Sequence, residues 1–184
     1  MRRPDVARDT RQPRSWIAGN KFTKRTYGVR EFFVDISFLT KNVRNVRRVM
    51  REKRIPNAFR ERLMLSVTSV YGCRYCCWAH SREALRSGVE QEEIVRLLAG
   101  SIENCPKEEA IALLYAQHWA DSDASPDSEA VKRLEEAYGA EKAEAINLIL
   151  RMIRVGNLWG NTWDRFLHRL SFGRRVEEAR YIRH

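Results

Sequence analysis

The chain has 184 residues and a mass of 21.6 kDa, which suits one domain with an appendage and excludes two full domains. A content of 43% hydrophobic and 32% charged residues with a mean hydropathy of −0.55 excludes a wholly disordered chain and fits the soluble class. The net charge of +10 is uneven: residues 1–54 hold 16 basic and 5 acidic side chains, net +11, which leaves 18 basic and 19 acidic residues in the body.

Residues 1–30 carry Pro4, Pro13, many charges and little periodicity, and read as a basic irregular arm. Such an arm suits nucleic acid, an anionic surface or an acidic partner, and equally a solvated segment that wraps a neighbouring subunit. No RNA-binding aromatic signature or zinc-finger spacing favours nucleic acid. Phe32, Ile36, Leu39, Val43, Val46 and Met50 follow at helical spacing and predict one helix closed by Pro56, with Lys41, Arg44, Arg47, Arg48 and Arg51 turned to water.

Asn57 is placed to cap the next helix, which carries Phe59, Leu63, Val67 and Val70 to a stop at Gly72. A third helix is expected from near Cys73 to Gly88, and a short fourth over 91–99. Pro106 sits as the first residue of a helix through Ile111, Leu114, Tyr115 and Trp119, and Ser125-Pro126 opens another that runs to Gly139. Residues 141–170 form the longest periodic stretch, with Gly156 and Gly160 expected to kink or divide it. With no alternating strand pattern, the fold class is all-α, about seven helices, with the domain over 31–170 and a tail over 171–184.

The four cysteines, at 73, 76, 77 and 105, are too few and too clustered for a secreted disulfide framework. Cys73, Cys76, Cys77 and His80 fall on one face of the third helix, within an arc of roughly 100°. Cys73 lies where unpaired backbone N–H groups and the helix dipole favour a thiolate, and His80 offers a base with a near-neutral pKa. A thiolate attacks a peroxide or disulfide, and a second thiol one turn away resolves the product. Glu61, on the preceding helix, is placed to return towards His80 if the two helices form a hairpin. Zinc held by Cys73, Cys76 or Cys77, His80 and Cys105 is the weaker reading, because structural zinc sites draw ligand pairs from separate loops. Cys77 and Cys105 read as small packing residues, and His118, His168 and His184 lack a supporting constellation. Trp119, Trp159 and Trp163 suit a core or subunit interface better than a pocket beside the thiols.

Glu61-x11-Cys73-x2-Cys76-x3-His80 resembles the alkylhydroperoxidase D core within the carboxymuconolactone decarboxylase superfamily, as do Leu63-x-Leu65-Ser66-Val67 before it and Gly88 after it. The match is close over 61–100, while Asn157-x3-Asn161-x2-Asp164 looks more loosely like the longer peroxidase-related members. The resemblance implies an all-helical trimer or hexamer that reduces hydroperoxides by thiol chemistry, without cofactor or metal, and is recharged by a dithiol reductant protein. It implies that Cys73 attacks, Cys76 resolves, His80 relays the proton and Glu61 accepts it, with the reverse order of the two sulfurs as the alternative. Some members carry a histidine between the cysteines, where this chain has Arg74 and Tyr75. The decarboxylase branch does not use the thiol pair, so lactone decarboxylation is not expected. The alternative function is a redox-sensing binding protein whose basic N-terminal segment contacts nucleic acid or an acidic partner. No run nears the roughly 20 apolar residues of a membrane helix, and the Arg-rich start lacks the apolar stretch of a secretory signal, so no membrane contact and a cytoplasmic location are expected.

Overall fold

A computed structural model describes residues 22–51 and 55–171. The expected features at 1–21, at 52–54 and beyond Ser171, His184 included, lie outside the described residues. Among the described residues the chain is all-helical, with no strand: α1 (Val29–Lys41), α2 (Val43–Arg51), α3 (Asn57–Tyr71), α4 (Arg74–Arg86), α5 (Gln91–Leu98), α6 (Ala110–Asp121), α7 (Ser128–Tyr138) and α8 (Ala140–Leu170). A short 3-10 turn, Lys107–Glu109, leads into α6.

The single helix expected over 32–50 is two. Asn42 ends α1 by turning its side-chain amide onto the Phe38 carbonyl at 2.9 Å, and its backbone leaves the helical region at φ −101° and ψ 15°. An asparagine side chain competes with the helix ladder for backbone partners, which divides a pattern that apolar spacing alone reads as continuous. The basic row is exposed as expected, at Lys41, Arg44, Arg47, Arg48 and Arg51. The buried residue of α1 is not one of its apolar side chains but Asp35. Asp35 pairs with Arg154, meets Arg151 Nη1 at 3.2 Å and accepts from the Tyr27 hydroxyl at 3.0 Å.

Three other boundaries also move. Asn57 is the first residue of α3 rather than its cap. Pro106 precedes the 3-10 turn rather than opening an α-helix. The cap of α7 is Asp127, which accepts from the Ala130 N–H at 2.8 Å, and not Ser125.

α3 is the central element and packs against α4, α5, α6 and α8. Its Phe59, Leu63, Leu65 and Val67 are buried with Leu97, Leu113, Ile146, Ile149, Leu150 and Leu158 of the surrounding helices. A helix enclosed on so many sides must bury its polar residues too, and Arg60, Glu61, Arg62, Ser66 and Thr68 all lie inside. Arg62 is matched there by Glu93 and by Glu109, the latter at 3.2 Å, as buried charge requires.

α8 is not divided, and it runs unbroken for 31 residues across Gly156 and Gly160. Against its C-terminal half lies an extended strap, residues 22–28. The strap is tied by the Tyr27 N–H to Thr162 Oγ1 at 3.0 Å, by Asn161 Nδ2 to the Arg25 carbonyl at 3.0 Å and by Arg165 Nη1 to Thr26 Oγ1 at 3.0 Å. No helix among the described residues is long and apolar enough to cross a membrane.

Candidate functional site

The site is built by the turn between α3 and α4. Gly72, at φ 67° and ψ 30°, takes the left-handed conformation that ends α3, and its N–H bonds the Thr68 carbonyl at 2.8 Å. The chain reverses at once, so that Cys73 becomes the N-cap of α4. Its sulfur accepts from the Cys76 N–H at 3.3 Å, the position a serine or aspartate oxygen usually fills. One turn on, the Cys76 sulfur lies 2.9 Å from the Cys73 sulfur. Both thiols are free, Cys73 with no exposed surface and Cys76 8% exposed.

The two thiols stand on opposite sides of their ordinary pKa. Cys73 is held down to about 7, first by the hydrogen bond from the Cys76 S–H, against its own burial, and then by the N–H groups of Cys76 and Tyr75 and the Lys24 charge. Cys76 is pushed far up, because its proton is held on the Cys73 sulfur and because burial disfavours a second thiolate beside the first. Of the two, Cys73 is shifted towards the thiolate and Cys76 towards the thiol.

The hairpin also returns Glu61 to α4. Glu61 Oε2 lies 2.8 Å from His80 Nδ1, and its other oxygen accepts from Arg60 Nε at 3.1 Å. Glu61 is buried while His80 is partly exposed. His80 follows Cys76 by one helical turn on the same face of α4. Cys77 is raised by burial, and Cys105 sits apart, near Glu93, where burial pushes it up to about 12. His118 meets Asp127 at 2.9 Å on the surface, and the His168 ring lies 6.0 Å from that of Phe22. Trp119 is core, whereas Trp159 and Trp163 are exposed. Among the described residues no group of three or more His, Cys, Asp or Glu side chains is arranged to hold a metal ion.

Sequence spacing does not reveal the floor of this site, which α8 supplies. A Cβ on Gly160 would come 2.6 Å from the Cys73 sulfur, and one on Gly156 would come 3.6 Å from the Cys76 sulfur. The expected kink glycines thus let α8 close on the two sulfurs. Between them Asn157 reaches Thr68 Oγ1 at 3.1 Å, and Asn161 gives its amide both to the Tyr71 carbonyl at 2.8 Å and to the strap. The four-residue spacing of Gly156-Asn157 and Gly160-Asn161 is the signal that marks this face as a close approach.

The model of the carboxymuconolactone decarboxylase family matches residues 39–117. No curated protein and no solved structure matches the chain. The matched segment holds Glu61, Cys73, Cys76 and His80, while the strap and α8 lie outside it. The helical hairpin and its paired cysteines thus lie in the part of the chain that is similar to the carboxymuconolactone decarboxylase family.

Proposed function

We propose that the protein is a thiol-dependent peroxidase of the alkylhydroperoxidase D kind, reducing hydroperoxides through Cys73 and Cys76. The observation that carries this reading is the pair of free sulfurs 2.9 Å apart, one at a helix N-cap with its pKa lowered to about 7 and the other holding the proton. In the first step the Cys73 thiolate attacks the peroxide O–O bond. The sulfur–oxygen bond forms, the alkoxide leaves and takes up a proton, and Cys73 becomes a sulfenic acid. Cys76 then attacks that sulfur after giving its proton to His80, a disulfide forms, and the released hydroxide leaves as water. An external dithiol protein returns two electrons and two protons to the disulfide.

Glu61 holds His80 by Nδ1, so that Nε2 is the ring nitrogen left to exchange protons. Glu61 orients the imidazole and stabilises it when charged. Cys73 has no exposed surface, so the peroxide reaches its sulfur by local opening of the covering side chains.

Serine variants test the assignment. Cys73→Ser and Cys76→Ser are each expected to abolish hydroperoxide turnover, and Cys77→Ser to retain it. Full turnover in both motif variants would sink the reading.

Assembly as a homo-oligomer belongs to the same proposal. The exposed Phe33, Trp159, Trp163 and Phe166, with Phe32 against Trp159 and Trp163 stacked on Phe166, form aromatic surface of the kind that subunits cover. Light scattering at micromolar concentration reads the subunit number, and a monomer counts against it. A second reading, contact with nucleic acid or an acidic partner, is supported by the exposed basic row of α1 and α2. It requires binding that weakens steeply with salt, and no binding at low salt removes it.

A further inference from the structure

We propose that Lys24, carried by the N-terminal strap, is a positioning residue that holds positive charge beside the Cys73 sulfur and so maintains its reactive form. Its catalytic consequence rests on the peroxidase reading above, but its effect on the thiol does not.

The placement follows from α8. At Gly160 that helix comes against the Cys73 sulfur, and Asp164 stands one turn further along the same face. Lys24 Nζ lies 3.9 Å from Asp164 Oδ2, and the Lys24 and Asp164 side chains are 5% and 6% exposed. Arg74, the residue after Cys73, reaches the other oxygen of Asp164 at 2.8 Å. The thiolate end of α4 therefore faces a cluster drawn from three elements: Lys24 of the strap, Arg74, Cys76 and Cys77 of α4, and Asp164 of α8.

An ammonium this enclosed is costly to bury unless anions surround it. Burial pulls Lys24 below its ordinary pKa, while Asp164 and the Cys73 thiolate hold it up. The same coupling read from the sulfur makes the thiolate easier to form. The strap's bonds to Asn161, Thr162 and Arg165 tie it down at Arg25, Tyr27 and Thr26, directly after this lysine, so the charge is delivered by built structure. Lys24 and Asp164 both lie outside residues 39–117, so this support is added to the hairpin from elsewhere in the chain.

The test is the pH profile of Cys73 alkylation by iodoacetamide in the full-length reduced protein, with the modified residue mapped by peptide mass spectrometry. Lys24→Gln and Lys24→Met are expected to move the Cys73 midpoint up by a few tenths of a pH unit, so that alkylation near pH 6 slows roughly twofold. Lys24→Arg is expected to restore most of the shift, and Lys132→Gln, on the exposed face of α7, to change nothing. An unmoved midpoint in folded Lys24→Gln and Lys24→Met overturns the proposal. Should both neutral variants fail to fold, the coupling is read from the other partner. The Lys24 ammonium, followed by NMR, is expected to titrate lower in Cys73→Ser than in the wild type, and an unchanged titration overturns the proposal equally. Failure of the wild type to form a disulfide with hydroperoxide would remove the peroxidase reading while leaving these profiles to decide Lys24.

Discussion

Gly160 and Cys73 stand so close that a single added carbon would collide with the sulfur, at 2.6 Å. The neighbouring contact, Gly156 with Cys76, is ordinary at 3.6 Å. Two glycines one turn apart on α8 therefore predict opposite outcomes.

Gly160→Ala is expected to destabilise the protein by about 1–3 kcal/mol, as overpacking does, and to displace Cys73 from the α4 cap. Gly156→Ala adds a methyl group where there is room and removes a flexible residue from a helix interior, for a gain of about 0.5–1 kcal/mol. Urea denaturation of the two reduced variants checks the signs.

Removing the Glu61 carboxylate tests the hairpin's proton path. Glu61→Gln keeps the size of the side chain but weakens its hold on His80 Nδ1. Peroxide turnover is expected to fall by roughly 10²-fold, in the range that positioned acid–base groups contribute. An unchanged rate, with an unchanged pH profile of thiol alkylation, would show that Glu61 only packs.

The thiols also set a pH dependence of stability. The folded pKa of Cys73, about 7, lies below its ordinary value of 9.0, so ionisation of this thiol favours the folded state. That contribution is fully present above about pH 9 and is lost as pH falls through about 7. Cys76 and Cys77 are shifted the other way, so their contributions hold below the ordinary thiol range and fade as pH rises beyond it. Stability of the reduced protein relative to Cys73→Ser is therefore expected to rise between pH 7 and 9, measured by denaturant titration at each pH.

Asp35 anchors α1 to α8. Replacing it with alanine removes one of the two carboxylates that meet Arg154, which is 4% exposed, and leaves Asp123 at 2.8 Å as the other. A loss of about 3–5 kcal/mol is expected, the usual cost of breaking one side of a buried ion pair. Thermal denaturation of Asp35→Ala reads it directly.

The pattern of what sequence could and could not disclose has a physical basis. Gly72 and the helix it ends were legible because a left-handed glycine after an apolar periodic run is a local signal. The Cys-x2-Cys-x3-His face was legible because its spacing within one helix fixes which side chains are neighbours. Asp35 was not, since its burial depends on Arg154, Arg151 and Tyr27 arriving from distant parts of the chain. The break at Asn42 was hidden for a different reason, because apolar spacing does not register a side chain that captures a backbone carbonyl. Gly156 and Gly160 read as points that kink or divide a helix, and only the placement of α4 turns them into the floor under two sulfurs. The strap carries no periodicity at all, and its order comes from polar groups of α8 such as Asn161 and Thr162.

The central claim is that Cys73 and Cys76 form a redox pair that peroxide oxidises. It is tested most directly by treating the reduced, metal-free protein with one equivalent of an organic hydroperoxide and mapping the products by peptide mass spectrometry. Rapid formation of a Cys73–Cys76 disulfide, with one equivalent of alcohol released, is the predicted result. Thiols that remain unreacted, or a disulfide that involves Cys77 or Cys105 instead, would contradict the account.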